Sequence, residues 1–247
     1  MQDKENRGIP WIIVSLILAA SLVISSYIVT AGIKEIKGPG NSLSVKGSAK
    51  QQITSDLVVW NGSFSSQSPI LSDAFKNLKD SEGKVKSYLI NKGIVEKDII
   101  FSSINTATNY VILPNGMYSN QVDSYRLFQS VEIRSTDIEK ITNISRSATD
   151  LINDGIQFQS NAPQYFYTKL ADLKIDMIGL ATEDAKARAE EMLSTTGNKV
   201  GRLNSASVGI FQITPLYSGE ISDYGINDTS SIEKEITSVV TCEFEAK

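Results

Sequence analysis

The sequence predicts an α+β protein: a mostly antiparallel sheet packed with one long and two shorter helices, preceded by a single N-terminal transmembrane helix. Three observations predict it. Between Arg7 and Lys34 no side chain carries a charge. From Ser42 onward, stretches of period-two alternation are interleaved with three stretches of helical periodicity, in an order that lacks the strict βαβ rhythm of a parallel sheet. Beyond the apolar run lie about 210 residues, enough for one domain, or two small ones, with a proper core.

The apolar run Trp11-Ile-Ile-Val-Ser-Leu-Ile-Leu-Ala-Ala20-Ser-Leu-Val-Ile24 continues through Tyr27, Ile28 and Val29 to Ile33. A hydrocarbon core of roughly 30 Å takes about 20 apolar residues in a helix. The reading is a short cytoplasmic tail over 1–8, a transmembrane helix over 9–33, a linker over 34–41 and an extracytoplasmic domain over 42–247. A cleaved secretory signal and a buried soluble helix are the alternatives. A signal has an apolar region of about 7 to 15 residues before a small-x-small site, and this run is longer. The charge rule does not orient the helix, because Lys4 and Arg7 face Lys34 and Lys37. The shortness of the N-terminal tail places it inside and the long C-terminal part outside, as a single-pass membrane protein in contact with lipid. Gly38-Pro39-Gly40 then ends the helix.

The domain opens with two strands expected to be antiparallel neighbours, one carrying Leu43, Val45 and Gly47 in alternation and one running from Leu57 through Trp60 to Ser66. Ser68-Pro69 reads as the start of a helix, with Leu71, Phe75, Leu78, Val85 and Leu89 on its inner face and Gly93 as its stop. Ile99–Leu113 and Tyr118–Arg134 read as two long strands joined at Pro114-Asn115-Gly116, with Tyr125, Leu127, Gln129, Val131 and Ile133 sharing a face. Thr136 with Glu139 forms a capping box for a second helix striped by Ile138, Ile141, Ser145, Ala148 and Ile152. Gly155 ends it. A short strand, Ile156–Ser160, precedes the longest helix outside the anchor, about Tyr167 to Thr196, with Leu170, Leu173, Met177, Ala181, Ala185, Ala189 and Met192 inward. Strands over Arg202–Pro215 and Ile236–Ala246, separated by a polar loop over Gly219–Ser231, complete the domain.

Composition excludes much. The chain has no histidine, one cysteine and a net charge of -4. Without histidine there is no Ser-His-Asp or Cys-His site and no HExxH motif, and with one cysteine no intrachain disulfide. Basic residues are scattered, which argues against nucleic acid, and neither GxGxxG nor GxxxxGK[ST] occurs, which argues against nucleotide. No catalytic, cofactor-binding or metal-binding residue is assigned, and no cofactor is expected. Cys242 shares a strand face with Ile236, Val240 and Phe244 and reads as a buried thiol. Glu183, Asp184, Glu190 and Glu191 read as a solvated helix face, with Asp184 and Arg188 an i,i+4 pair. Tyr165 and Phe166, with Tyr110 and Tyr118 on the hairpin, are the candidate interface residues, against a reading of them as core or cross-strand pairs.

Several segments together resemble one family. Ser44-Val-Lys-Gly-Ser-Ala-Lys50 followed by Ser55-Asp-Leu-Val-Val-Trp60, the helix end Tyr88-Leu-Ile-Asn-Lys-Gly-Ile94 with Lys97-Asp-Ile-Ile100, and Ala185-Lys-Ala-Arg-Ala-Glu190 ending at Gly197-Asn-Lys-Val-Gly-Arg202 resemble the SIMPL family in order and spacing over roughly Ser42 to Lys247. The family commonly has proline before the aspartate of its second strand, where this chain has Ser55 before Asp56. The resemblance implies a long helix packed on a sheet, a bacterial envelope address, homo-oligomeric rings in some members and a link to oxidative stress in others. It brings no catalytic residues. The expected function is a non-enzymatic, membrane-anchored envelope protein that self-assembles and serves a structural or stress-defence role. A module capturing a peptide or envelope ligand on an exposed strand edge is the alternative, and a carboxylate-based enzyme has the least support.

Overall fold

A computed structural model describes the backbone of residues 8–36 and 42–247, and the side-chain surroundings of residues 14–30 and 42–247. Among the described residues the fold is α+β, with four α-helices and two sheets. Helix α1 spans Gly8–Ile36 and runs past the expected boundary at Ile33. The residues expected to form the tail up to Arg7 and the Gly-Pro-Gly linker from Lys37 to Asn41 lie outside the described residues. Among the described residues no helix is long and apolar enough to cross a membrane. The side chains described in α1, Val14 to Thr30, cover about 25 Å at 1.5 Å per residue, less than a hydrocarbon core.

The expected pairing of the first two strands is corrected. Strand β1 (Ser42–Thr54) and strand β2 (Leu57–Ser68) belong to different sheets. β1 pairs along its whole length with β11 (Glu233–Ala246), which also carries β8 (Val200–Val208) and β9 (Gln212–Pro215) on its other side. β10 (Ile226–Asn227) joins β9 in the one parallel pair among the described strands. This is the terminal sheet. The central sheet forms around β2 and β5 (Tyr118–Ser135): β3 (Ile99–Phe101) and β4 (Asn105–Ile112) pair with β5, and β6 (Gln157–Ser160) and β7 (Gln164–Phe166) pair with β2. Two adjacent hydrophobic strands can satisfy the same alternation with any partner, so the pattern alone did not fix the neighbour.

Helices α2 (Leu71–Asn91) and α3 (Ile138–Ser147) cover one face of the central sheet, and α4 (Leu170–Ser194) covers one face of the terminal sheet. Each sheet has its own core. Trp60, Phe64, Leu78, Leu89, Val131, Ile133 and Ile141 centre the first, and the alanines Ala181, Ala185 and Ala189 meet Val45, Val240, Cys242 and Phe244 in the second. Gly47 lies where α4 crosses β1. A Cβ there would stand 2.1 Å from the Ala181 carbonyl oxygen and 2.4 Å from the Ala185 nitrogen, so the two backbones touch only because the position is glycine.

Local capping accounts for most of the other differences. Ser68 does not cap α2; its hydroxyl accepts from the Ile70 N–H at 3.2 Å, and the helix begins two residues beyond Pro69. Ala74 is then buried, whereas Leu71 and Phe75 are exposed. Asp137, rather than Thr136, caps α3 by accepting from the Lys140 N–H at 3.1 Å. α3 tightens into a 3₁₀ segment, Ala148–Asp154, which rotates Leu151 inward and leaves Ile152 exposed before Gly155 stops it at φ +82°. α4 buries Leu193 where Met192 was expected. The strand expected over Ile99–Leu113 breaks at Ser102, whose hydroxyl accepts from the Ser130 N–H and whose carbonyl accepts from Gln129. The strand expected over Arg202–Pro215 breaks at Gly209-Ile210-Phe211, where Gly209 still donates to the Val239 carbonyl at 2.8 Å.

The chain passes between the two sheets at Ser55-Asp56 and again after Phe166, and side chains tie the crossings together. The Asp56 carboxylate accepts from the Thr168 N–H and the Thr168 hydroxyl, each at 2.7 Å. Burial pushes the Asp56 pKa up, but these hydrogen bonds and the charge of Lys169 outweigh it and hold the carboxyl below its ordinary value. Lys234, 3% exposed, donates from Nζ to the Tyr165 carbonyl at 2.7 Å and to the Asp228 carbonyl. Burial pushes its pKa down, partly opposed by Asp228.

Candidate functional site

The feature that ordinary core packing does not explain is an arm. β5 pairs with β2 only from Tyr125 onward, opposite Ser68. Before that point its one strand partner among the described residues is β4, so 109–112 and 118–124 form a two-stranded hairpin, while 105–108 pair with 125–128 as part of the central sheet. The tip forms because Pro114 and Asn115 suit a turn in which the Gly116 N–H bonds the Leu113 carbonyl at 2.8 Å, with Gly116 at φ +80°. Asn115 Oδ1 accepts from the Met117 N–H at 3.1 Å, and the Leu113 N–H closes the ladder on Met117 at 2.8 Å.

The arm is apolar and exposed. Ile112 is 63% exposed, Met117 65% and Tyr118 73%, with Tyr110, Leu113 and Val122 also exposed. Register shifts at Asn109, Tyr110 and Ile112 twist it, leaving a concavity lined by Thr108, Tyr110, Ile112, Tyr118 and Asp123. An isolated two-stranded hairpin is marginal in water, and large apolar side chains on one gain their burial from another surface.

The four candidate interface residues fall into two groups. Tyr110 and Tyr118 lie on the arm. Tyr165 and Phe166 lie on β7, which pairs with the first residues of β2. The arm meets β2 at its far end, on the order of 35 Å away at about 3.3 Å per residue. Tyr165 is buried, its ring in the central core and its hydroxyl 3.0 Å from that of Thr142, so it is a core residue. Phe166 is partly buried at the crossing between sheets, its carbonyl accepting from the Asp56 N–H at 2.9 Å.

Cys242 faces the alanine stripe of α4 and is fully buried, and burial raises its pKa. In the native protein its alkylation is expected to be slower by about two orders of magnitude or more than in urea-unfolded protein, as read by a chromogenic thiol reagent. A native rate near that of a free thiol would place the sulfur at the surface. Among the described residues no three Cys, Asp or Glu side chains converge as a metal would require.

Two features escaped sequence reasoning. Asp184, expected on a solvated face, accepts from the Ser48 N–H at 2.7 Å as well as from Arg188 Nε at 2.8 Å. These two contacts hold its carboxyl below the usual range and occupy an outward N–H of β1, which obstructs that edge to an added strand. Lys234 is the other. The signal for it was present, because it has the same parity on β11 as Ile236, Val240 and Cys242 and therefore points inward.

A family model described as SIMPL, protein of unknown function (DUF541), matches residues 43–244. No curated protein matches the chain.

Proposed function

The chain belongs to the SIMPL family, and from that premise we propose that it is a non-enzymatic envelope protein, anchored in a membrane by α1, whose extracytoplasmic domain associates with copies of itself through the β4–β5 arm. The exposed apolar arm carries this reading. A strand edge on β4 is open alongside it, since β4 has no strand partner but β5 among the described residues. The edge of β1 is obstructed, and β8 exposes Leu203 and Val208, fewer large apolar side chains than the arm. A stress-related role is structural in this reading, because Cys242 offers no accessible thiol.

Support for the anchor is that α1 has 29 residues, roughly 43 Å at 1.5 Å per residue, and that no charged side chain occurs from Gly8 to Ile33. The hydroxyls of Ser21 and Thr30 donate to the carbonyls of Leu18 and Ser26 within the helix, which suits a medium without water. The open β4 edge equally suits capture of an extended peptide, which is the competing reading.

The test is the size of the full chain, extracted from membranes in detergent, by sedimentation at micromolar concentration. Wild type is expected to sediment as an oligomer, and Ile112→Lys with Tyr118→Ser to reduce it to monomer, without loss of thermal stability. A monomeric wild type, or an oligomer indifferent to the arm, would overturn self-association through the arm. Recovery of the protein from the soluble fraction without detergent would overturn the anchor.

A further inference from the structure

The central sheet has a second, uncovered face. Residues of one parity on β2, β5 and β6 meet α2 and α3, and those of the other parity form an open groove of about 670 Å³ beside Ile152 and Gly155. Its floor is set by register: Ser65 stands opposite Phe128 on one side and Gln157 on the other, and Ser63 opposite Gln159. Arg126 lies one step along β5 on the same face.

The lining has one cation and no acidic side chain. Arg126 is exposed, makes no ion pair among the described residues, and spends only an Nη2 donor on the Ser65 hydroxyl at 3.3 Å. Ser65 in turn donates to Gln157 Oε1 at 3.1 Å. The guanidinium edge left over matches a carboxylate in bidentate geometry.

We infer that this groove binds a carboxylate-bearing oligosaccharide, with Arg126 taking the carboxylate and the serine and glutamine side chains taking hydroxyls. Three features favour a saccharide over an acidic peptide. The floor strands β2 and β5 are paired on both sides at Ser63, Ser65, Arg126 and Phe128, so the one strand edge open to a peptide main chain is that of β6 at the rim, two strands away from Arg126. Serine hydroxyls and glutamine amides each both donate and accept, as sugar hydroxyls do. Phe128, 43% exposed, presents an apolar ring against which the C–H face of a pyranose can lie.

The test is calorimetric titration of the full chain in a non-glycosidic detergent with trigalacturonic acid, with maltotriose and tetraglutamate as comparisons. Trigalacturonic acid is expected to bind at least about tenfold more tightly than either, and Arg126→Gln to weaken it about tenfold or more. Phe128→Ala is expected to weaken both saccharides alike. Circular dichroism of both variants, which alter exposed positions, is expected to match wild type. Absence of binding at about 10 mM trigalacturonic acid, roughly tenfold above a 1 mM Kd, affinity unchanged in Arg126→Gln, or tighter binding of tetraglutamate would overturn the inference.

Discussion

Replacing Gly47 by alanine is expected to remove about 3 kcal/mol or more from the unfolding free energy, the largest effect of any single methyl in this domain. The added carbon would sit 2.1 Å from the Ala181 carbonyl oxygen and 2.7 Å from the Ala185 side chain. Two of the three nearest atoms belong to the α4 backbone, which cannot rotate out of the way as the end of a flexible side chain would. Relief requires the helix to lift off β1, and lifting it opens the contact of Ala181, Ala185 and Ala189 with Val45, Val240 and Phe244. Gly83→Ala in α2 is the matched control: nothing lies within 4 Å of its Cβ position, so the same substitution is expected to stabilise by up to about 1 kcal/mol through helix propensity. Urea unfolding of the two variants measures both. A Gly47→Ala loss below about 1 kcal/mol would mean that the helix yields freely and that the close crossing is not a fixed part of the fold.

Lys234→Ala is expected to cost about 3 to 5 kcal/mol, by a different route. The substitution removes a buried aliphatic stem and leaves the carbonyls of Tyr165 and Asp228 without their donor. Lys234→Met separates the two contributions. Methionine restores the stem and removes the desolvated charge, but donates nothing, so it is expected to recover about half of the loss. The Asp228 carboxylate keeps its hydrogen bonds from the Ser230 N–H, Ser230 hydroxyl and Ser231 N–H without the lysine, and loses only the attraction of its charge. Full recovery by methionine would show that the ammonium contributes only its stem. Since Tyr165 lies on the central sheet and Lys234 on the terminal sheet, the deficit in Lys234→Met reads the attachment between them.

Much of this architecture is legible in the sequence where the physics is local. Gly93, Gly116, Gly155 and Gly197 all adopt positive φ at the stops and turn where their positions demand it. The inward face of β5 and the alanine stripe of α4 follow from period two and period 3.6. The pairing of β1 with β11 is not local, since alternation marks a face and leaves the neighbour open. The cap of α3 shifted by one residue because Thr136 and Asp137 are both good capping types and only the approach of the chain from β5 chooses between them. The arm is half legible: Asn115-Gly116 marks the hairpin, but its projection depends on β2 ending at Ser68 while β5 continues. The groove on the open face of the central sheet was not legible, because Arg126, Ser65 and Gln157 converge only through strand register.

The full-length pairing of β1 with β11 also sets an order in time. Ser48 finds its partner Val239 roughly 190 residues later, a closure that is slow as well as entropically costly. All strands of the central sheet lie between Leu57 and Phe166, so that half can assemble while the remainder is still being made. β1 meanwhile stays without a partner on either edge, and the interval until β11 arrives is when the nascent chain most needs shielding from other copies of itself.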